Sequence, residues 1–195
     1  MTKRPDHVPD AKDPSRERDG ELLDVVDPDG GVVGRVPRDV CHGNPALAHR
    51  VVHVIVQNAA GEFFLQKRSR TKQVAPGQWD TAVGGHLRPG ETYEQAAARE
   101  AAEEIGLRNV SFRHRHDSVW RTDFETEHVR TFQAVAEGPF QLQVGEIEDG
   151  RFWTVEELRG AAGTGVLTPN LEEELRRIGV LPRNTPSAGK APPLG

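Results

Sequence analysis

Gly85-His86-Leu87-Arg88-Pro89-Gly90-Glu91-Thr92-Tyr93-Glu94-Gln95-Ala96-Ala97-Ala98-Arg99-Glu100-Ala101-Ala102-Glu103-Glu104-Ile105-Gly106-Leu107 is the segment on which the fold turns. From Glu91 to Ile105 it is rich in Ala and Glu and free of Gly and Pro, which predicts a helix. Gly106 is its C-terminal stop. Glu100, Glu103 and Glu104 stand at i, i+3 and i+4, so a helix places them on one face. Three carboxylates there repel one another. A divalent cation that prefers hard oxygen ligands, Mg²⁺ above all, relieves the repulsion. A solvated acidic surface is the other outcome for such a cluster. Arg99 can pin a carboxylate through both arms of its guanidinium. Gly84, Gly85 and Gly90 let the backbone turn tightly before the helix and approach a ligand closely.

Strand signals lie on both sides. Leu22 to Val26 and Val32 to Val36 flank Asp27-Pro28-Asp29-Gly30-Gly31, which predicts a hairpin. Arg50 to Gln57 is a β-branched run and a central-strand candidate, followed by a strand from Glu62 to Lys67. Further strands are expected at Thr81 to Val83, Val110 to Arg115, His128 to Ala136 and near Arg151 to Trp153. Thr154-Val155-Glu156-Glu157 reads as a capping box, and Thr168-Pro169 opens a last helix ending near Ile178. Trp79, between Gly77 and Asp80, is expected to anchor the core. Residues 1–20 are half charged and hold Pro5, Pro9 and Pro14 but no Leu, Ile, Phe, Trp or Tyr. They and the proline-rich stretch 182–195 are expected to be disordered, leaving one domain over 21–181.

Composition narrows the function classes. The chain has 195 residues, a formal net charge of -5 and 35% hydrophobic residues. No run reaches the ~18 apolar residues of a membrane span. Cys41 stands alone, so a disulfide framework is excluded. No apolar stretch follows the basic residues at the N-terminus, which argues against a secretory signal and predicts a cytoplasmic protein. The acidic balance argues against nucleic acid as a general partner.

The long segment matches G-x5-E-x7-R-E-U-x-E-E-x-G-U, with U apolar, at every fixed position; Ala101 and Leu107 fill the apolar places. It resembles the Nudix box, and the similarity extends from about Leu22 to Ile178. The resemblance implies a Nudix-type α/β/α sandwich with a mixed β-sheet, the box forming a loop-helix-loop. It also implies Mg²⁺-dependent attack of water on a diphosphate linkage, with Mn²⁺ able to substitute. By the same resemblance Glu100, Glu103 and Glu104 hold the metal and the Gly85 carbonyl joins them. One of Glu103 and Glu104 orients or deprotonates the water. Arg99, with Glu91, positions a catalytic carboxylate. A diphosphate brings at least two negative charges to an acidic helix, and bound cations make that contact favourable.

Residues outside the box resemble isopentenyl-diphosphate isomerases, which share the fold. These are His42 and His49, Arg68, Lys72, Pro76-Gly77-x-Trp79, Gly85-His86 and Glu125-Thr126-Glu127. The resemblance implies that His42, His49, His86, Glu125 and Glu127 surround a second metal, and that Arg68 and Lys72 contact a substrate diphosphate. Three histidines and two carboxylates make a reasonable transition-metal donor set. His49 and His53 also alternate with apolar residues, the pattern of hydrogen-bonded core histidines. Isomerases carry a cysteine where this chain has Gly84, and a C-terminal tryptophan where it has Leu167 to Leu171. The chain therefore reads as an isomerase-related hydrolase of an organic diphosphate, such as a nucleoside diphosphate derivative. The rivals are an isomerase and a nucleotide-sensing binding module. Glu146 and Glu148 are either an extra catalytic carboxylate or a charged loop. Substrate selection is expected from variable loops, at Asp117 to Glu127 and in the hairpin near His42. His114 and His116 are expected to be exposed. Homodimers are common in such families.

Overall fold

The computed structural model describes residues 20–72 and 74–183. The predicted disordered ends lie outside these residues, apart from Gly20, Pro182 and Arg183. Among the described residues the order is β1 (Leu22–Val26), β2 (Val32–Pro37), α1 (Arg38–Cys41), β3 (Ala48–Gln57), β4 (Phe63–Arg68), β5 (Trp79–Asp80), β6 (Val83–His86), α2 (Tyr93–Glu104), β7 (Arg113–Arg121), β8 (Thr126–Val135), β9 (Ile147–Trp153), α3 (Val155–Ala161) and α4 (Pro169–Arg177).

β3 is the spine. It pairs in parallel with β8 from Ala48↔Thr126 to Gln57↔Val135 and antiparallel with β6 from Val51↔His86 to Val54↔Val83. β4 meets its far end and continues the sheet to β5 and β9; β1 and β2 extend the other side. A strand covered on both faces can be apolar almost throughout, and residues 51 to 56 of β3 are all buried. Val52, Val54 and Val56 pack under Ala96, Ala97 and Ala101 of α2. Ile55 faces the other layer, with Leu158 of α3 and Leu171 and Leu175 of α4. Each buried Val or Leu contributes roughly 1.5–3 kcal/mol, and the alanines let α2 lie close to the sheet. The result is the expected α/β/α sandwich with a mixed sheet.

The helix starts are set locally. Thr92 caps α2 by accepting from the Gln95 N–H at 3.2 Å, and the Gln95 side chain accepts from the Thr92 N–H at 2.9 Å. Thr154 and Glu157 repeat this capping box at α3. Trp79 packs with the α3/α4 layer, edge-on to Trp153 at 5.2 Å.

Some elements differ from expectation. The short strand expected over Thr81 to Val83 is two strands, β5 and β6. Between them the Thr81 hydroxyl donates to the Val54 carbonyl, drawing the chain from β4 across to β3. The strand expected from Val110 runs instead from Arg113 to Arg121, because Val110 and Phe112 pack against the core beneath α2. The α1 turn had no apolar period to announce it.

Candidate active site

The four-residue strand β6 ends at His86, and the chain turns through Gly90, at φ 77°, into α2. Arg99 is the hub of the helix face. It donates to both oxygens of Glu91, from Nε at 2.8 Å and from Nη2 at 2.7 Å. It also donates to Glu100 at 2.6 Å and to the His86 carbonyl at 3.0 Å. One guanidinium thus ties the loop before the helix to the carboxylates on it. Burial would raise the Glu91 carboxyl pKa, but the Arg99 bonds outweigh it and hold the group below its ordinary value.

Glu100 lies against Gly85 so closely that any Cβ at that position would overlap its carboxyl group. Gly85 is therefore required by this approach and not by a turn. Burial raises the Glu100 pKa despite Arg99. Glu104 accepts from the Gln66 amide at 3.0 Å and from the Gly84 N–H at 3.3 Å. Burial, and then the charge of Glu100, push its pKa up to about 8. Glu103 is the exposed member, 3.2 Å from Arg88. Glu100 and Glu104, both raised, share the α2 face with Glu103, and their oxygens are donors of the kind a hard divalent cation takes.

A cavity of about 630 Å³ opens over this face. Gly85, Glu100, Glu103 and Glu104 line it, and so do Arg68 and Lys72 from the strand-and-loop side. The two cations are engaged within the protein. Arg68 donates to Asp80 at 3.0 Å and to the Val74 carbonyl at 3.1 Å, while Lys72 contacts Glu146. Glu146 is buried and lines the same cavity. Glu148 turns away, to Lys67 at 3.1 Å and Arg70 at 3.5 Å.

Beside this cavity the structure gathers the five residues of the second cluster. One donor atom from each of His42, His49 and His86 lies within 4.8 Å of the others, and the same holds for His49, Glu125 and Glu127. The parallel register sets this, since His49 of β3 stands beside Glu127 of β8. His42 Nε2 is 3.1 Å from His86 Nε2 and 3.4 Å from Glu125. Burial pushes both His42 and His49 down to about 4, so both rings are neutral. Burial and then Glu125 push Glu127 up to about 7. His49 Nε2 is fully buried and, among the described residues, has no hydrogen-bond partner. An orphaned imidazole nitrogen aimed at carboxylates is the arrangement a transition metal would complete.

Other expectations are corrected. His116 is not exposed: it lies 2.9 Å from Glu174, which α4 presents to it. His114 is exposed, as expected, and bonds Asp117 at 2.9 Å. Asp117 to Glu127 is mostly strand, since pairing with β8 orders it and leaves only residues 122–125 between strands. Gln66, Asp80 and Glu174 escaped the sequence reading. Gln66 carried a usable signal, a polar residue at a buried position within an apolar strand.

A family model for the NUDIX domain matches residues 47–173. A Nudix hydrolase of Pseudomonas aeruginosa, itself uncharacterised, is 35% identical over 134 residues, covering 69% of this chain and 79% of that protein. The uncharacterised Nudix hydrolase YfcD of Escherichia coli K12 is 31% identical over 142 residues, covering 71% and 76%. Among solved structures, DR0079 of Deinococcus radiodurans superposes with a TM-score of 0.68 at 29% identity, covering 80% of this chain and 98% of that one. The chain belongs to the Nudix family. It is accordingly an enzyme, a pyrophosphohydrolase acting on acid anhydrides. No helix among the described residues is long and apolar enough to cross a membrane.

Proposed function

We propose that this protein is a Mg²⁺-dependent hydrolase of the diphosphate linkage in a nucleoside diphosphate derivative or another organic diphosphate, with Mn²⁺ able to substitute. The observation that carries the reading is convergence. The three box glutamates and Gly85 share one cavity with Arg68 and Lys72. The metal, when bound, supplies Lewis-acid polarisation and charge neutralisation. Glu100, Glu103 and Glu104, with the Gly85 carbonyl, are the residues that would hold it. Glu103 or Glu104 orients the attacking water or takes its proton. Arg99 is a positioning residue, fixing Glu91 and Glu100. Arg68 and Lys72 release Asp80 and Glu146 to hold the diphosphate. The partner is a small molecule, and the setting we infer is cytoplasmic.

The second cluster supports a further part of the reading: His42, His49, His86, Glu125 and Glu127 hold a transition metal beside the hydrolytic site. The isomerase alternative lacks its cysteine, because Gly84 offers no side chain. The deciding experiment is a panel of nucleoside diphosphates, nucleoside triphosphates, sugar nucleotides and prenyl diphosphates with Mg²⁺. Phosphate release is expected from at least one member, with no conversion of isopentenyl to dimethylallyl diphosphate. Isomerisation without hydrolysis would reverse the assignment. Elemental analysis of protein purified without chelator tests the second metal, which His49→Ala should remove.

A further inference from the structure

A second cavity, of about 490 Å³, lies between β7 and the C-terminal end of α4 and shares no lining residue with the active-site cavity. Its charged walls are Arg115 and His116 of β7, Glu173, Arg176 and Arg177 of α4, and Arg183. Four arginines therefore line one space. Arg176 is paired with Glu172 at 2.7 Å and Arg177 with Glu173 at 2.9 Å, both one helical turn away. Among the described residues, Arg115 and Arg183 have no hydrogen-bond or carboxylate partner. Four arginines against the carboxylates of Glu172, Glu173 and Glu174 leave an excess of positive charge on a protein whose net charge is -5.

Helix chemistry accounts for only half of this. Cations in the last turn of a helix complement its dipole, which explains Arg176 and Arg177. Arg115 is on a strand and Arg183 lies beyond the helix, so the dipole explains neither. The back wall is tied to the sheet as well. His116 is held at 2.9 Å by Glu174, which is 2% exposed. Glu174 in turn accepts from Thr131 at 2.8 Å and meets His53 at 3.2 Å. Guanidinium forks match phosphate oxygens in pairs, and sites for small ligands occupy roughly 300–1,000 Å³.

We propose that this cavity is a second anion site, separate from the catalytic one, which takes the phosphate groups of a small phosphorylated molecule or of inorganic diphosphate. Arg115 and Arg183 are its free donors, and Arg176 and Arg177 are its helix-anchored ones.

Isothermal titration calorimetry of the full chain in EDTA tests this, with inorganic pyrophosphate and ADP as separate probes. A saturable heat with at least one of them is expected. Pyrophosphate alone points to free diphosphate, and ADP with or without it points to a phosphate ester. The double variant Arg115→Gln/Arg183→Gln should raise the dissociation constant at least about tenfold, the loss expected for charge-assisted bonds. Both side chains are exposed and unbonded, so its melting temperature should stay at the wild-type value. Should the double variant fail to fold, Arg115→Gln alone is read by the same criterion. The proposal falls if neither probe gives saturable heat or the variant binds like wild type. It falls equally if binding is lost in Lys72→Ala instead, which would place the anion in the active-site cavity.

Discussion

Arg99 grips Glu91 with two parallel bonds, 2.8 Å from Nε and 2.7 Å from Nη2, across eight positions of chain. The loop and the helix of the active site are fixed to each other by that pair. Lysine keeps the charge but lacks the planar fork. Arg99→Lys should therefore raise the Mg²⁺ concentration needed for half-maximal activity by about 10- to 100-fold, the range for supporting residues at metal sites. A metal titration of activity at saturating substrate measures this.

Replacing Glu103 or Glu104 with Gln keeps the shape and removes an anionic oxygen. Turnover is expected to fall at least ~10²-fold, the range for a lost metal or general-base role. Folding should survive, because repulsion between the carboxylates is relieved. Steady-state kinetics with circular dichroism separates the two effects, and wild-type rates in both variants would remove the helix from the chemistry.

Gly85→Ala tests the close approach of Glu100 to the backbone. The added methyl group overlaps the Glu100 carboxyl, so that side chain must swing away. Activity should fall by roughly 10- to 100-fold, as for a displaced metal ligand or its support. Gly84→Ala is the control. Its Cβ would come no nearer than 3.4 Å to His53, ordinary contact, and its melting temperature should stay near wild type.

Arg68→Ala and Lys72→Ala separate binding from chemistry. Cations that hold the diphosphate act in the ground state as well as the transition state, so KM should rise more than kcat falls. Charge-assisted contacts of roughly 1.5–3 kcal/mol correspond to about 10- to 100-fold in kcat/KM. Each change also removes an ion pair, with Asp80 or with Glu146. Melting temperatures should therefore fall modestly. Unchanged kcat/KM in both variants would remove them from the site.

Glu174 and His53 carry a pH dependence of stability. Burial opposes the charge on Glu174, but bonds from His116 and His53 outweigh it and hold its pKa below the ordinary 4.5. That contribution is present above 4.5 and is lost as pH falls through the folded value. His53 is shifted the other way. Burial opposes its charge, yet Glu174 raises its pKa above 6.5, so its contribution is present below 6.5 and is lost as pH rises through the folded value. Glu174→Gln should lower the melting temperature near neutral pH and flatten both limbs of the melting-temperature profile. A wild-type profile in the variant would show that the network contributes nothing.

Helix α2 is legible in the amino-acid sequence alone. Its Ala and Glu content, the stop at Gly106 and the spacing of Glu91, Arg99, Glu100, Glu103 and Glu104 all lie within one short window, where periodicity alone sorts side chains onto faces. The same holds for β3, whose β-branched run announces a buried strand, and for the capping box at Thr154. The resemblance to the isomerases named the five residues of the second cluster, but no local pattern joins them. The β3–β8 parallel register and the turn after α1 do that. β7 is written RHRHDSVWR, with no apolar alternation, and is a strand because β8 supplies its partner. His53 and Glu174 stand 121 positions apart, and the Arg115–Arg183 cavity likewise depends on α4 docking beneath β7. The sequence by itself determined α2, the starts of α3 and α4, the central strand and which carboxylates share the α2 face, because those are set by neighbours within one or two turns of chain. Only the tertiary structure decided which distant charges meet, because burial and pairing across the sheet bring together groups that the chain keeps far apart.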